Sequence, residues 1–227
     1  METFVLDDFP FPVEMTRLLE LVRVKEGGED EDAVRRMAAA AEKIGRPRAL
    51  GALAFIDDKG DDFVVIEGLR FTSRVLRVNL EEAHRVFPFV ITAGPELKEW
   101  AGQAGDGLAQ FWARALEGMA MFAAAQALDH YLAEKYGEKK TAMMNPGSLA
   151  DWPLTEQRPL FQLLGEAPAT IGVTLLETGF MDPPMSGSGL RFPAEASFES
   201  CLLCPRPDCP LRRAPYDPGL DEAKYRK

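Results

Sequence analysis

Val86-Phe87-Pro88-Phe89-Val90-Ile91-Thr92 is apolar at almost every position and leads into Gly94. A run this short, with no polar residue at every second place, has no face to offer solvent and reads as a buried strand. Upstream, between Ala52 and Leu80, ALAFI and FVVIEGL flank Asp57-Asp58-Lys59-Gly60-Asp61-Asp62, and SRVLRVNL at 73–80 alternates polar and apolar side chains over part of its length. Two β-rich runs around a turn, followed by an alternating one, predict antiparallel strands. The four aspartates lack the ligand ladder and distal glutamate of a calcium loop, and read as a solvated turn.

Further out, the pattern becomes helical. Leu108, Phe111, Trp112, Ala115, Leu116, Met119, Phe122, Ala123, Leu128 and Leu132 recur mostly at intervals of three or four, predicting one long core helix over 108–136, with Gly137 as its C-cap. A short helix is expected over 14–22 and a second, alanine-rich one over 32–43, its start marked by the acids Glu29 to Asp32. After the long helix, Asn145-Pro146-Gly147 and Asp151-Trp152-Pro153 mark an extended loop. Thr155 to Leu164 restarts a helix, and Ile171 to Leu176 is a strand candidate. Gly187-Ser188-Gly189 reads as a flexible turn. The segment after Phe192, rich in proline, cysteine and arginine, reads as a loop strapped onto the body. The elements together predict an α+β protein: an antiparallel sheet flanked by helices, in one domain over 1–227, with a helical and hairpin start (1–80), a central region (86–192) and a cysteine-containing tail (193–227).

Composition narrows the function. The 36 acidic against 26 basic residues give a formal charge of −10, which opposes binding along a phosphate backbone, so no nucleic-acid partner is expected. The most apolar stretch, Met119 to Leu128, is far short of the roughly 20 residues that cross a bilayer, and the N-terminus lacks the basic start and apolar core of a secretory signal. No membrane partner is expected, and the chain reads as cytoplasmic. There is no P-loop, no dinucleotide fingerprint and no nucleophile elbow, and His84 and His130 stand far apart with no paired glutamate motif.

The stretch from Asn145 to Phe192 carries a resemblance. Asn145-Pro146-Gly147, Asp151-Trp152-Pro153-Leu154-Thr155-Glu156-Gln157, Leu160-Phe161-Gln162-Leu163-Leu164, Ile171-Gly172-Val173, Leu176-Glu177-Thr178 and Met185-Ser186-Gly187-Ser188-Gly189 follow one another in the order and spacing of the activation (reactivation) domain of cobalamin-dependent methionine synthase. Ile91-Thr92-Ala93-Gly94-Pro95-Glu96-Leu97, followed by the alanine-rich helix, resembles stand-alone members of that family. The resemblance implies a twisted antiparallel sheet with helices. It also implies a role in corrinoid-dependent one-carbon metabolism: binding S-adenosylmethionine beside a cobalamin carried by a partner corrinoid protein or methyltransferase, and helping return oxidised cobalt to its active state. It names no electron donor and no catalytic residue. By the same resemblance Asn145, Pro146, Gly147, Asp151, Trp152, Glu177, Ser186, Gly187 and Arg191 would shape the cofactor pocket. The chain departs from the pattern where the methionine end would bind: Met143 stands where an arginine is expected, Ser148 where a tyrosine is, and Gln126 where the long helix would carry a glutamate. Leu190 or Arg191 replaces an aromatic. These departures keep open a docking module that retains the fold without the S-adenosylmethionine site.

All three cysteines fall within nine residues, as Cys201-x-x-Cys204-x-x-x-x-Cys209, with Arg206, Arg212 and Arg213 close by. A secreted disulfide framework would spread an even number along the chain. Thiolates at this spacing could hold an iron–sulfur cluster with one iron left to an outside ligand, or zinc with a fourth donor such as Asp208. Stand-alone relatives carry a similar ending. The alternatives are three free thiols or a local disulfide, with Cys201 and Cys204 the pair.

Overall fold

The computed structural model describes residues 1–138, 140–194, 198–209 and 212–225. Its strands are β1 (Glu2–Leu6), β2 (Arg48–Lys59), β3 (Phe63–Ile66), β4 (Leu69–Thr72), β5 (Arg85–Thr92), β6 (Thr141–Met144), β7 (Thr174–Leu175), β8 (Met181–Asp182) and β9 (Ser186–Pro193). The α-helices that matter for packing are α1 (Met15–Val22), α2 (Glu31–Ile44), α3 (Arg74–Asn79), α4 (Pro95–Gly102), α5 (Gly107–Tyr136), α6 (Gln157–Leu164) and α7 (Ala167–Thr170). Seven strands form one sheet in the order β4-β3-β2-β5-β9-β6, with β1 also paired to β2, and every pairing is antiparallel. This is the α+β architecture expected, a mixed fold with an antiparallel sheet flanked by helices.

Strand β5 is central and buried on both faces, as its composition requires. On one side Phe87, Phe89 and Ile91 pack with Ala49 against Ala124, Leu128 and Leu132 of α5. On the other, Val86 joins a cluster with Leu190 and Phe192 of β9, Met144 of β6, Trp152, and Leu160 and Leu163 of α6, while Val90 packs with Leu50, Leu164, Ile171 and Val173. Pro88 has no N–H for a ladder, and the paired positions of β2 and β5 skip from Gly51↔Phe89 to Ala54↔Val86 across it. The first half of α5 faces away from the sheet centre and buries Trp112, Leu116 and Ala120 against α1, α2 and α4.

Three expectations are corrected. Ser73 to Leu80 is not a strand: the Ser73 hydroxyl accepts the Leu76 N–H at 2.9 Å and starts α3, which buries Val75 and Leu76. The cap outweighs a partial alternation. Gly187-Ser188-Gly189 is not a turn but the middle of β9, between β5 and β6. Of the strand expected over 171–176, only Thr174–Leu175 pairs, because α7 occupies the residues just before and Ile171 and Val173 are anchored as core. The helix start at the acidic run holds, with Glu31 and Asp32 in the first turn of α2. Gly137 caps α5 at φ 72°.

Glu117 is the charged residue α5 buries completely. Burial pushes its carboxyl above the usual carboxylate range, with the Arg114 guanidinium at 2.8 Å drawing it back, and its Oε1 has no hydrogen-bond partner among the described residues. A folded state that holds this proton to higher pH than the unfolded chain is penalised once the carboxyl ionises. The penalty is present at neutral pH and disappears as pH falls through the raised value. Glu117→Gln should therefore stabilise the fold at about pH 8, by roughly 1 kcal/mol, and shrink the stability that wild type gains on acidification to about pH 5. Thermal unfolding at the two pH values checks this; a variant less stable than wild type at the higher pH would show that Glu117 is ionised and well paired.

Candidate functional site

Asn145, Pro146 and Gly147 follow β6, and Arg191 sits where β9 pairs with β6, whereas Ser186 and Gly187 pair with β5 and Glu177 lies on the β7–β8 turn. Strand β6 ends at Met144, and the chain turns back through Asn145-Pro146-Gly147. The Asn145 amide donates to the Ser188 carbonyl at 2.7 Å, and the Met144 carbonyl and Asn145 amide nitrogen fill the space that a side chain at Gly189 would need. Glycine at 189 is thus what lets the loop lie on β9. Gly147, at φ 83°, donates to the Trp152 carbonyl at 2.8 Å and closes the loop. The Ser148 hydroxyl donates to the Asn145 carbonyl at 2.6 Å and lies 3.5 Å from the Ser200 hydroxyl of the tail.

Several candidates hold the fold here. The Asp151 carboxylate accepts the Ser73 hydroxyl, the Arg74 N–H at 3.2 Å and the Val75 N–H at 3.0 Å, capping α3 from the far side of the chain. Trp152 is wholly buried in the core and its indole N–H has no partner among the described residues. The Ser186 hydroxyl donates to the Thr92 hydroxyl at 2.8 Å. Gly187 faces Ile91 and the Met121 sulfur. Glu177 is exposed, on the turn between β7 and β8; its carbonyl accepts from Arg158 at 2.5 Å. Leu154 lies against both Gly147 and Gly179, so this turn and the Asn-Pro-Gly loop are held side by side. Leu176 and Phe180 flank Glu177 and are 47% and 64% exposed.

Arg191 lies on the α5 face of β9, directly across the ladder from Met143. Its Nη2 meets the Asp129 carboxylate of α5 at 2.8 Å, and its guanidinium stands 5.9 Å from the Phe89 ring. Asp129 is a residue that sequence reasoning missed. It follows Gln126 by one helical turn, and no motif marks it, because its partner is 62 positions away.

The tail crosses this edge. Glu199 pairs with Arg213 at 3.0 Å, both close enough to bear on the charge of Arg191, and the Arg213 N–H donates to the Cys201 sulfur at 3.4 Å. Arg212 spreads its guanidinium over the carbonyls of Cys201 and Cys204 at 3.2 and 3.1 Å, Ala214 at 3.1 Å, and Arg206. The basic residues of the tail therefore fold it. Cys201, Cys204 and Cys209 are free and partly buried, and among the described residues no three His, Cys, Asp or Glu side chains are grouped to hold a metal ion. As placed, this donor set does not fit an iron–sulfur cluster or zinc: the loop closes on a guanidinium. An open hollow of about 360 Å³ lined by Met15, Leu19, Arg23, Lys25 and Arg35 contains none of the candidates. No described helix is long and apolar enough to cross a membrane.

No protein-family model and no curated protein matches the chain. Among solved structures it is similar to the MetH reactivation domain bound to AdoHcy, with a TM-score of 0.61 and 17% sequence identity over 88% of this chain and 81% of that one. The likeness establishes a shared fold.

Two substitutions test the edge. Asp151→Ala should unseat the start of α3 and cost about 1–2 kcal/mol, read as lower thermal stability and faster amide exchange over 73–79. Gly189→Ala should lose more, because neighbouring backbone blocks the added carbon. Wild-type stability in both would refute the packing of this edge.

Proposed function

We propose that this chain is an accessory domain of corrinoid-dependent one-carbon metabolism, which binds an S-adenosyl ligand at the β6–β9 edge and works with a corrinoid protein or methyltransferase. One observation carries the reading most: the backbone shares its fold with a reactivation domain that binds AdoHcy. The Asn-Pro-Gly loop lies on β9 beside the 176–180 turn, and Arg191 lies on the α5 face of the same strand. The loop brings backbone close to whatever lies on β9, and the exposed Leu176 and Phe180 give the adjoining turn an apolar face for a ring system or a partner surface. A partner-borne cobalamin would supply the cobalt chemistry. This chain's residues would position the adenosyl group and exclude water.

A second reading is favoured by a specific finding. The polar groups of Asn145, Gly147, Asp151 and Ser186 are already bonded within the protein, so the edge could serve as a docking surface without a small ligand. Calorimetry with AdoHcy separates the two. The ligand reading expects saturable binding with Kd below roughly 1 mM, that is, at least about 4 kcal/mol. No heat and no competition at that concentration would leave the docking reading, which would then predict association with a corrinoid protein that Phe180→Asp weakens. The cysteines enter neither reading as metal ligands, and metal analysis of protein purified without oxygen should find substoichiometric iron and zinc.

A further inference from the structure

Cys201-Leu202-Leu203-Cys204 is wound into a single 3₁₀ turn over Ser200–Leu203, closed by the Cys204 N–H donating to the Cys201 carbonyl at 3.3 Å. Such a turn takes three residues and rises about 2 Å per residue, so positions i and i+3 eclipse with their Cα atoms about 6 Å apart. The two thiols therefore share one side of the turn, inside the window of about 4.4–6.8 Å that a disulfide spans. Cys209 has no such frame. It lies beyond Pro205 and Pro207, whose rings cannot continue the turn.

The surrounding tail holds this turn in place. Arg212 fastens both of its ends, donating to the Cys201 carbonyl at 3.2 Å and the Cys204 carbonyl at 3.1 Å, and the Asp217 N–H bonds the Leu202 carbonyl between them at 2.9 Å. The two cysteines differ in their surroundings. Cys204 packs with Leu203 against the core cluster that contains Trp152 and Leu190, whereas the Cys201 sulfur receives the Arg213 N–H at 3.4 Å. Both keep part of their surface in solvent, within reach of a small reagent. An accessible thiol with a second thiol one turn away is the arrangement that completes disulfide exchange, because the second displaces whatever the first has captured.

We propose that Cys201 and Cys204 form a reversible dithiol site that reacts with low-molecular-weight disulfides such as glutathione disulfide. Cys201 gives its proton to solvent and attacks one sulfur of the reagent, forming a mixed disulfide and releasing one thiolate, which is protonated in turn. Cys204 then attacks the Cys201 sulfur and displaces the second thiolate, which takes up the Cys204 proton. The protein pair is oxidised to one Cys201–Cys204 bond, and the reagent is reduced to two thiols. That bond locks the tail where it meets the Asn-Pro-Gly loop: Ser200, just before Cys201, is buried with its hydroxyl 3.5 Å from that of Ser148. The site stands whether or not an S-adenosyl ligand binds.

The test equilibrates the reduced full chain with glutathione disulfide, native and in urea, then counts alkylatable thiols by mass and maps the bridge by peptide digestion. The native chain should lose two of its three thiols to a Cys201–Cys204 bond, leave Cys209 alkylated, and recover all three on reduction. The unfolded chain should give a mixture of pairings. Cys204→Ser should stop at one glutathione held on Cys201, and Cys209→Ser should bridge as wild type does. Amide exchange over 200–204 should be slower in the oxidised chain than in the reduced one. No loss of thiols, a native bridge that includes Cys209, or the mixture of the unfolded chain would overturn the site, and equal exchange rates would overturn the lock. The wild-type count decides the pairing even if a serine variant does not fold.

Discussion

Strand β5 has no solvent face, and that constraint places most of the other elements. Its phenylalanines and Ile91 demand a cover on one side, which α5 supplies over about two and a half helical turns from Ala124 to Leu132. Its valines demand one on the other, which α6, Trp152 and the residues around Ile171 supply. Its two edges are taken by β2 and β9, so β9 lies inside the sheet and only the short β6 lies beyond it. A chain that must hold a loop and a buried cation in register needs this rigidity, because burial of β5 fixes β9, and β9 in turn fixes Ser188, Gly189 and Arg191.

The β6–β9 edge combines two kinds of residue that the same stretch of sequence presents together. Asn145, Gly147, Asp151, Trp152 and Ser186 spend their polar groups or their bulk on the protein itself. Arg191 and Asp129 bond each other, and Arg191 keeps one buried donor, Nε, without a partner among the described residues. The loop acts as the joint that seats β9. The tail adds a further layer, since the Glu199–Arg213 pair reaches the same cation and Arg213 also holds the Cys201 sulfur.

Much of this fold was legible in the sequence, for a physical reason. Val86–Thr92 and the 107–136 helix are long or uniform patterns whose burial is dictated by composition alone. What failed were places where a distant residue decides. Ser73–Leu80 becomes a helix partly because Asp151 caps it from 76 or more residues away. Gly187-Ser188-Gly189 looks like a turn until the Met144 carbonyl and the Asn145 amide are seen to occupy the space of a side chain at Gly189. Asp129 carries no local signal at all. The cysteine spacing suggested a metal; among the described residues the three cysteines are not grouped to hold one, and Arg212 gathers the loop around them.

The central claim is that ligand binding lives on the β6–β9 edge and its facing stretch of α5. Amide hydrogen exchange of the full chain, with and without saturating AdoHcy, tests it most directly. The account predicts slower exchange over 123–131, 141–148 and 186–193, with residues 1–45 unchanged. Protection confined to 15–35, around the hollow between α1 and α2, would contradict it.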